Sequence, residues 1–244
     1  MLMLKRIDMN NGNFYCTWIA IKIEFLKIIK SYLIEAIVAA YMFLITIKGG
    51  NNWSQFSANS ILLISSVIGL TGFGILSSWV FAREYIEGTF KDLLALPISR
   101  TAIIIGKYIA IEFSEFIILL STIIISLLVG IAKFNLIPNP HFLSLFFGKI
   151  LLAYSCNACL SFLWPLIVSK CKSLLLPISL SLIALIVDVI FASRMVGQFI
   201  PWSIPGYLLA HYGSTLLISH LIIALVTIVG IDGTIIVWNK TDQK

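Results

Sequence analysis

The sequence predicts an all-α, polytopic membrane protein with six transmembrane helices. Three observations predict it: a high apolar content, the grouping of apolar residues into long runs, and an uneven distribution of cations. Of the 244 residues, 59% are hydrophobic and only 11% are charged, and the mean hydropathy is +1.02. A soluble domain carries about 25% charged residues. A water-soluble fold of this length could not cover so much apolar surface.

Six apolar runs approach the length of about 20 residues that crosses a bilayer as a helix. They cover residues 31–47, 59–81, 108–131, 150–168, 174–192 and 215–238. The runs are continuously apolar rather than alternating, which argues against transmembrane strands. Helices satisfy their own backbone hydrogen bonds in lipid. We therefore expect residues 1–244 to form a single transmembrane domain in the lipid bilayer.

The cations predict the orientation of these six helices. Thirteen of the 17 Lys and Arg residues fall on one side of the predicted topology, namely Lys5, Arg6, Lys22, Lys27, Lys30, Arg83, Lys91, Arg100, Lys107, Lys170, Lys172, Lys240 and Lys244. Cytoplasmic loops carry the excess of Lys and Arg. Both termini are therefore predicted to be cytoplasmic in a multi-pass protein of the cell membrane. The net charge of +6 is explained by this topology, and we expect no nucleic-acid partner.

A helix is also predicted before the first span. Its apolar stripe consists of Trp18, Ile21, Phe25, Ile28, Ile29 and Tyr32, with Glu24, Lys27 and Ser31 opposite. Such a helix can lie in the membrane interface. Ile23 and Leu26 interrupt the polar face, so a cytoplasmic extension of the first span is the alternative. Both interpretations place it at the inner surface.

The segment between the second and third spans has the most specific pattern. Gly88 is expected to end the preceding helix, Thr89 to cap a new short helix, and Pro97 to end that helix. Ser99 is then expected to cap the helix that becomes the third span. The sequence therefore predicts a short helix lying across the inner membrane surface.

This short helix has the composition of a docking element. Its apolar side consists of Phe90, Leu93, Leu94 and Leu96, and it is flanked by the charged residues Glu84, Glu87, Lys91 and Arg100. Apolar anchors at helical spacing with flanking charges suit a groove on a soluble partner. A solvated loop is the alternative, but loops do not normally carry Leu-Leu-Ala-Leu.

Near the last span, residues 193–214 mix aromatic residues with Pro201, Pro205 and Gly206. Two prolines four positions apart prevent a long regular helix. We expect short re-entrant or interfacial pieces on the extracellular side, with Pro201, Trp202 and Pro205 as their characteristic residues.

Two segments resemble those of ABC exporter permeases of the second type, especially bacitracin-export-like and lantibiotic-immunity-like permeases. They are the run from Glu84 through Gly88-Thr89 to Arg100, and the sequence Pro-Trp-Ser-Ile-Pro at residues 201–205. The resemblance implies two permease chains, identical or different, each seated on a separate ABC ATPase. The short helix would be the coupling helix, and the helix before the first span would be the interfacial elbow.

The resemblance also implies that this chain is a transport subunit and not an enzyme. It has no GxxxxGK[ST] phosphate loop. ATP and Mg would therefore be bound by the partner ATPase, and no cofactor is expected on this chain. We expect Glu84 and Glu87 to hold the coupling helix through contacts to the partner or to the elbow. Export of an antibiotic or antimicrobial peptide is a hypothesis from the resemblance alone.

Ionisable residues within the predicted spans are further candidates, because such groups are costly in lipid. Glu112 and Glu115 share a face of the third span, and Asp188 lies in the outer half of the fifth. They have either a role in translocation or a role in helix packing. Glu112 is close enough to the interface to meet Lys107 or water.

Two other function classes compete with the exporter. An ion-coupled secondary transporter would use Glu112, Glu115 or Asp188 as carriers, but the sequence shows no convincing repeat of halves. An intramembrane enzyme needs clustered catalytic groups at one depth, whereas His141, His211 and His220 lie toward the predicted outer side. Cys156 and Cys159 form a lone CxxC inside a span, so no metal site is predicted.

Overall fold

The computed structural model describes residues 9–94, 99–136, 138–214 and 217–240, with side chains from Trp18 onward and without that of Leu94. Within these ranges the chain is helical and contains no β-strand. The helices are α1 (Met9–Lys30), α2 (Leu33–Lys48), α3 (Trp53–Ile86), α4 (Phe90–Leu94), α5 (Arg100–Phe134), α6 (Pro140–Cys171), α7 (Leu175–Phe191), α8 (Ile204–Ala210) and α9 (Leu217–Lys240). The predicted all-helical fold class is confirmed.

Among the described residues, four helices are long and apolar enough to cross a membrane: α3, α5, α6 and α9. The bent pair α1 and α2 makes a fifth candidate if it is one span. The remaining predicted span falls on α7, an apolar helix of 17 residues. That is slightly short of a full crossing, so the count of six stays a prediction. Residues 215 and 216, where the last predicted span begins, lie outside the described ranges.

The most buried of the four long helices is α3, and its middle turn is wide. Residues Leu63–Gly72 adopt a π-helix, flanked by regular α-helix on both sides. In a π-helix each backbone carbonyl accepts from the fifth residue along instead of the fourth, and the Asn157 side chain donates a further hydrogen bond to the Ser65 carbonyl at 2.9 Å. A side chain of α6 thus bonds directly to the backbone of this π-helical segment. π-segments occur frequently at functional sites.

The break in α6 explains how α9 approaches it closely. Pro165 has no N–H to donate, and the helix is interrupted at Phe162, three residues earlier. A Cβ added to Gly230 of α9 would collide with the Phe162 carbonyl. The two backbones therefore pass each other at a point where only glycine fits.

Helices α1 and α2 meet at an angle of 48°. Tyr32 at the junction adopts a left-handed conformation with φ 57°, and the Ser31 hydroxyl donates to the Ile28 carbonyl at 2.6 Å. From this bend α1 runs back along α5. The apolar stripe predicted for α1 is divided, because Ile28 is buried whereas Trp18 and Tyr32 are exposed.

The segment before α9 consists of short pieces. Two 3₁₀ turns, Met195–Phe199 and Pro201–Ser203, lead into α8. Ser203 joins them by donating its hydroxyl hydrogen to the Gly197 carbonyl at 2.8 Å. Trp202 is half-buried, with its ring 6.5 Å from that of Trp164. Pro201 and Pro205 stand in the first turns of their elements, where the missing N–H costs little.

Candidate functional site: a buried ionic cluster beside the short helix

A lysine ammonium is completely buried where α1, α3 and α5 meet. Lys107 of α5 is 0% exposed, and its Nζ donates to Glu24 Oε2 at 2.9 Å and to Glu84 Oε1 at 3.2 Å. A third hydrogen bond, of 3.1 Å, goes to the Val80 carbonyl. All three donor hydrogens of the ammonium therefore have acceptors.

The cluster extends to Lys27 of α1. Its Nζ lies 2.8 Å from Glu24 Oε1 and 3.2 Å from Glu84 Oε1. Two lysines and two glutamates thus form a neutral network across three helices. Buried charges need this pairing, because removing one partner leaves another charge without compensation in a poorly solvated site. We call Glu24, Lys27, Glu84 and Lys107 the ionic cluster.

The ionic cluster also reaches the segment between the second and third spans. Thr89 Oγ1 donates to Glu84 Oε2 at 2.7 Å. Glu84 therefore uses one oxygen for the two lysines and the other for the residue that begins α4. The backbone of Thr89 accepts from Leu93 N–H at 3.0 Å, as a residue at a helix start does. The carboxylate of Glu84 connects α1, α5 and α4.

Gly88 turns the chain between Glu84 and Thr89. Its φ is +71°, a left-handed conformation in which a side chain is strained. A Cβ at this position would meet no atom within 4 Å. The demand for glycine is therefore conformational, and the turn lets Thr89 fold back onto Glu84.

The apolar side chains of α4 that can be placed lie against this chain. Phe90 stacks on Tyr85 at a ring distance of 4.5 Å and meets Trp238 edge-on at 5.0 Å. Leu93 is also partly buried against the core. The sequence predicts Phe90 and Leu93 on a face open to a partner, and in the structure both are partly buried against this chain. Phe90 packs within the chain because it stacks on Tyr85 and contacts Trp238, which is fully buried.

The exposed side of this segment is polar apart from Ile86. Glu87 lies 3.4 Å from Arg83 Nε in a half-exposed ion pair, and Lys91 and Asp92 are exposed. The predictions for the Leu94 side chain, Leu96 and Pro97 lie outside the described residues.

Arg100 and Ser99 hold the start of α5. Ser99 Oγ accepts from the Ala102 N–H at 3.3 Å, which makes Ser99 the N-cap. The Arg100 guanidinium donates to the Trp238 carbonyl at 3.0 Å, close to the end of α9. A cation near the last carbonyls of a helix is stabilising. Arg100 therefore connects α5 to α9.

The sequence pattern points to Glu84 but not to the three residues that complete its ionic cluster: Glu24, Lys27 and Lys107. Glu24 and Lys27 were predicted on a polar face, and Lys107 was expected near Glu112. The available signal was charge balance, since two acidic and two basic residues stand near the same predicted membrane boundary. Helix crossing angles, which the sequence does not give, decide that these four residues meet.

The intramembrane carboxylates lie in two separate places. Glu115 is fully buried on α5, and neither of its oxygens has a hydrogen-bond partner among the described residues; Glu112 Oε1 is in the same state. Asp188 of α7 is buried beside α3, where Ser66 donates a hydrogen bond to its Oδ2. Across the described ranges, no three His, Cys, Asp or Glu side chains are placed to hold a metal ion.

These features define a multi-pass helical membrane protein in which a buried ionic cluster connects the long helices to a short helix outside them. The chain belongs to the ABC-2 transporter family: the family model described as "ABC-2 family transporter protein" matches residues 20–188, more than half of its length. The resemblance seen in the sequence is thereby confirmed, and the chain is a transport membrane subunit.

A relative shares a shorter stretch. The bacitracin transport permease protein BCRB of Bacillus licheniformis is 37% identical over 57 residues, which cover 23% of this chain and 27% of that protein. The match thus spans about a quarter of each chain.

Proposed function

We propose that this chain is the permease subunit of an ABC exporter, and that it couples ATP hydrolysis by a separate ATPase to transport. The observation that carries the proposal is the Glu84 carboxylate, which bonds Lys27 of α1, Lys107 of α5 and Thr89 at the start of α4. A displacement of α4 is thereby passed to two long helices through one buried group. Helix α4 takes the role of the coupling helix and α1 that of the elbow.

In this mechanism the partner ATPase binds ATP and Mg, and its closure moves α4. Two permease chains, each with six spans and cytoplasmic termini, form the pathway in the cell membrane. The ionic cluster keeps α1, α3 and α5 together while the helices switch between inward-facing and outward-facing arrangements. Coupling of this kind needs an element with two discrete arrangements. The ionic cluster is the rigid connection between α4 and the helices that change arrangement.

The surface that would contact the ATPase is the exposed side of the segment. It consists of Ile86, Glu87, Lys91 and Asp92. Phe90 and Leu93 contribute by fixing α4 to the body of the protein. Charges on such a surface orient the docked partner.

Co-purification tests the proposal. The wild-type chain, expressed in its native host and purified in mild detergent, should bring down a P-loop ATPase. A charge-swapped variant, Lys91→Glu with Asp92→Lys, should lose at least about tenfold of it because the interface charges are reversed. Leu93 is left unchanged since it packs on the core. Lys133→Glu, at the opposite end of α5, is the matched control and should retain the ATPase. Absence of any ATPase from the wild-type preparation would contradict the proposal.

For the cargo, we propose an antibiotic or antimicrobial peptide. The match to a bacitracin transport permease supports this class. Deletion of the chain should lower the minimal inhibitory concentration of at least one peptide antibiotic in the host, and the wild-type chain should restore it. Unchanged susceptibility across bacitracin and a lantibiotic panel would count against this cargo while leaving ATPase coupling intact.

A further inference from the structure

Two cavities adjoin each other on one face of α3, and they differ in polarity. The first, of about 320 Å³, lies between α3, α7 and α8, and its lining is mostly apolar, with Ile61, Leu62, Val189 and Leu209 among its residues. The second, of about 520 Å³, lies beside the end of α2 and has a polar lining. Ala58 of α3 belongs to both linings, so a polar and an apolar compartment meet at this residue.

The polar cavity is lined by two lysines and by amide side chains, and none of its described lining residues is acidic. Lys48 ends α2, and Lys133 stands in the last turn of α5. A Cβ built on Gly49 would lie 2.8 Å from Lys133 Nζ, so this ammonium lies against the turn that follows Lys48. The Gln55 amide oxygen accepts from the Asn51 N–H at 3.2 Å, which leaves the Gln55 NH₂ group as a further donor.

The two lysines lie in parts of the sequence that contain no acid. Residues 36–83 and 116–187 include Lys48 and Lys133 and have no Asp or Glu. Within the described ranges, no ion pair joins either lysine to a carboxylate. A cation is favourable near a helix C-terminus, but that leaves two like charges at one cavity. Two ammonium groups and an amide donor suit an anion with several acceptor oxygens, such as a phosphate.

The lysine pair lies at the depth of lipid headgroups. Lys133 follows Lys107 of the ionic cluster by 26 positions in the same helix, which is about 39 Å at 1.5 Å per residue. The hydrocarbon core of a bilayer is about 30 Å thick. Because the ionic cluster stands at one predicted membrane boundary, the polar cavity lies at the other. Ile47, beside Lys48 in the lining, is 68% exposed and brings apolar surface to the edge of this cavity.

The apolar cavity can be reached by an acyl chain. Leu62 and Val189 in its lining are exposed. Asp188 also borders this cavity but takes no part in binding, because its carboxylate is enclosed by Ser66 and Gly206 and the residue is 1% exposed. The space next to the lysine pair is therefore suited to the apolar body of a ligand.

We infer that the two cavities bind an anionic lipid phosphate. The phosphate accepts hydrogen bonds from Lys48 and Lys133, and an acyl chain passes Ala58 into the apolar cavity. Lys149, a partly exposed cation in the apolar lining, adds to the positive potential. A phosphate monoester carries about −1.5 to −2 charge at pH 7, which matches two lysines. The inference goes beyond the proposed exporter function, since binding requires neither an ATPase nor a nucleotide.

The test compares three probes on the full chain in maltoside detergent, by microscale thermophoresis. They are dioctanoyl phosphatidic acid, dioctanoylglycerol, which has the same acyl chains without the phosphate, and inorganic phosphate. We expect phosphatidic acid to bind at least about tenfold more tightly than dioctanoylglycerol and at least about a hundredfold more tightly than inorganic phosphate. Equal affinity for the first two probes would mean that no phosphate site exists. Equal affinity for phosphatidic acid and inorganic phosphate would make free phosphate the ligand, and either result overturns the inference.

Substitutions at exposed positions locate the site without threatening the fold. Lys48→Gln and Lys133→Gln should each weaken phosphatidic acid about fivefold to tenfold, because each removes a charged donor, and should leave dioctanoylglycerol binding unchanged. Lys240→Gln, the same change at an exposed position at the far end of α9, should bind as wild type does. Ala58→Phe should weaken phosphatidic acid but not inorganic phosphate, because it fills the junction of the two cavities.

The double variant Lys48→Gln with Lys133→Gln decides the outcome. Wild-type affinity for phosphatidic acid in this variant would overturn the inference. The result is separable from the exporter proposal, because Lys133→Glu is expected to retain the ATPase in the co-purification described above and to lose phosphatidic acid here.

Discussion

The carboxylate of Glu84 and the hydroxyl of Thr89 form a 2.7 Å hydrogen bond across the Gly88 turn. This bond joins the end of α3 to the start of α4. Because the other oxygen of Glu84 binds Lys27 of α1 and Lys107 of α5, this one side chain of α3 contacts all three neighbouring elements.

Removal of the Thr89 hydroxyl should weaken coupling more than it weakens folding. A hydrogen bond to a charged group contributes about 1.5 to 3 kcal/mol. In Thr89→Val, which has nearly the same shape, we expect transport per ATP hydrolysed to fall about tenfold in reconstituted vesicles. Thr89→Ser retains the hydroxyl and should stay within about twofold of wild type. Equal losses in both variants would show that the hydroxyl is not the coupling group.

Replacement of Lys107 should destabilise the protein severely. Lys107→Met leaves Glu24 and Glu84 with Lys27 as their remaining lysine partner, and breaking a buried ion pair costs about 3 to 5 kcal/mol. The readout is the apparent melting temperature in detergent, followed by size-exclusion chromatography. Arg83→Met serves as the control: its partner Glu87 is half exposed, and such pairs contribute about 1 kcal/mol or less. Lys107→Met combined with Glu84→Gln should recover part of the loss, and no recovery would argue against direct pairing.

The turn at Gly88 should respond to backbone conformation and not to side-chain volume. With φ at +71° and no neighbour within 4 Å, Gly88→Ala should cost about 1 kcal/mol of stability. Gly88→Asn should cost less although asparagine is larger, because asparagine tolerates the left-handed region better than alanine does. A thermal melt of the two variants checks the order. Alanine proving the milder change would contradict the turn geometry.

Because α9 passes close to α6, alanine substitutions at two nearby glycines of α9 should differ in their cost to stability. In Gly230→Ala the new methyl group meets the Phe162 backbone, which cannot move aside easily. In Gly233→Ala it meets the end of the Leu166 side chain, which can rotate. We expect Gly230→Ala to cost about 1 to 3 kcal/mol, typical of overpacking, and Gly233→Ala clearly less. Similar melting temperatures for the two variants would count against this packing.

The sequence predicted the all-helical membrane class well, because apolar runs and charge placement depend on composition along the chain. The turn at Gly88 and the N-cap at Ser99 can also be predicted from sequence, because a positive φ and an N-cap each favour particular residue types. The two prolines of residues 201–205 likewise predict that this segment consists of short pieces, as it does in the structure. Each of these features is determined within a few residues of sequence.

Features that depend on helix crossing could not be predicted in this way. Lys107 is separated from Glu24 by 83 positions, and Ser66 from Asp188 by 122. The π-helical turn of α3 leaves no pattern in apolar periodicity, yet it positions Ser66. The packing of Phe90 on Tyr85 and Trp238 is not given by composition either, because an amphipathic helix has the same composition whether it docks on a partner or on its own chain.

Transmission of motion from an ATPase through α4 requires that the two are in contact, which site-directed cross-linking measures. A single cysteine replacing Asp92, in a background with Cys16, Cys156, Cys159 and Cys171 changed to alanine, is labelled with a benzophenone maleimide in membranes of the native host. Irradiation then inserts the benzophenone into a nearby C–H bond, so no particular residue is needed on the ATPase. We predict a covalent product with a P-loop ATPase, identified by mass spectrometry, and none when the cysteine replaces His141 near the start of α6. A product at His141, or none at Asp92 while expression and folding are normal, would contradict an ATPase contact at α4.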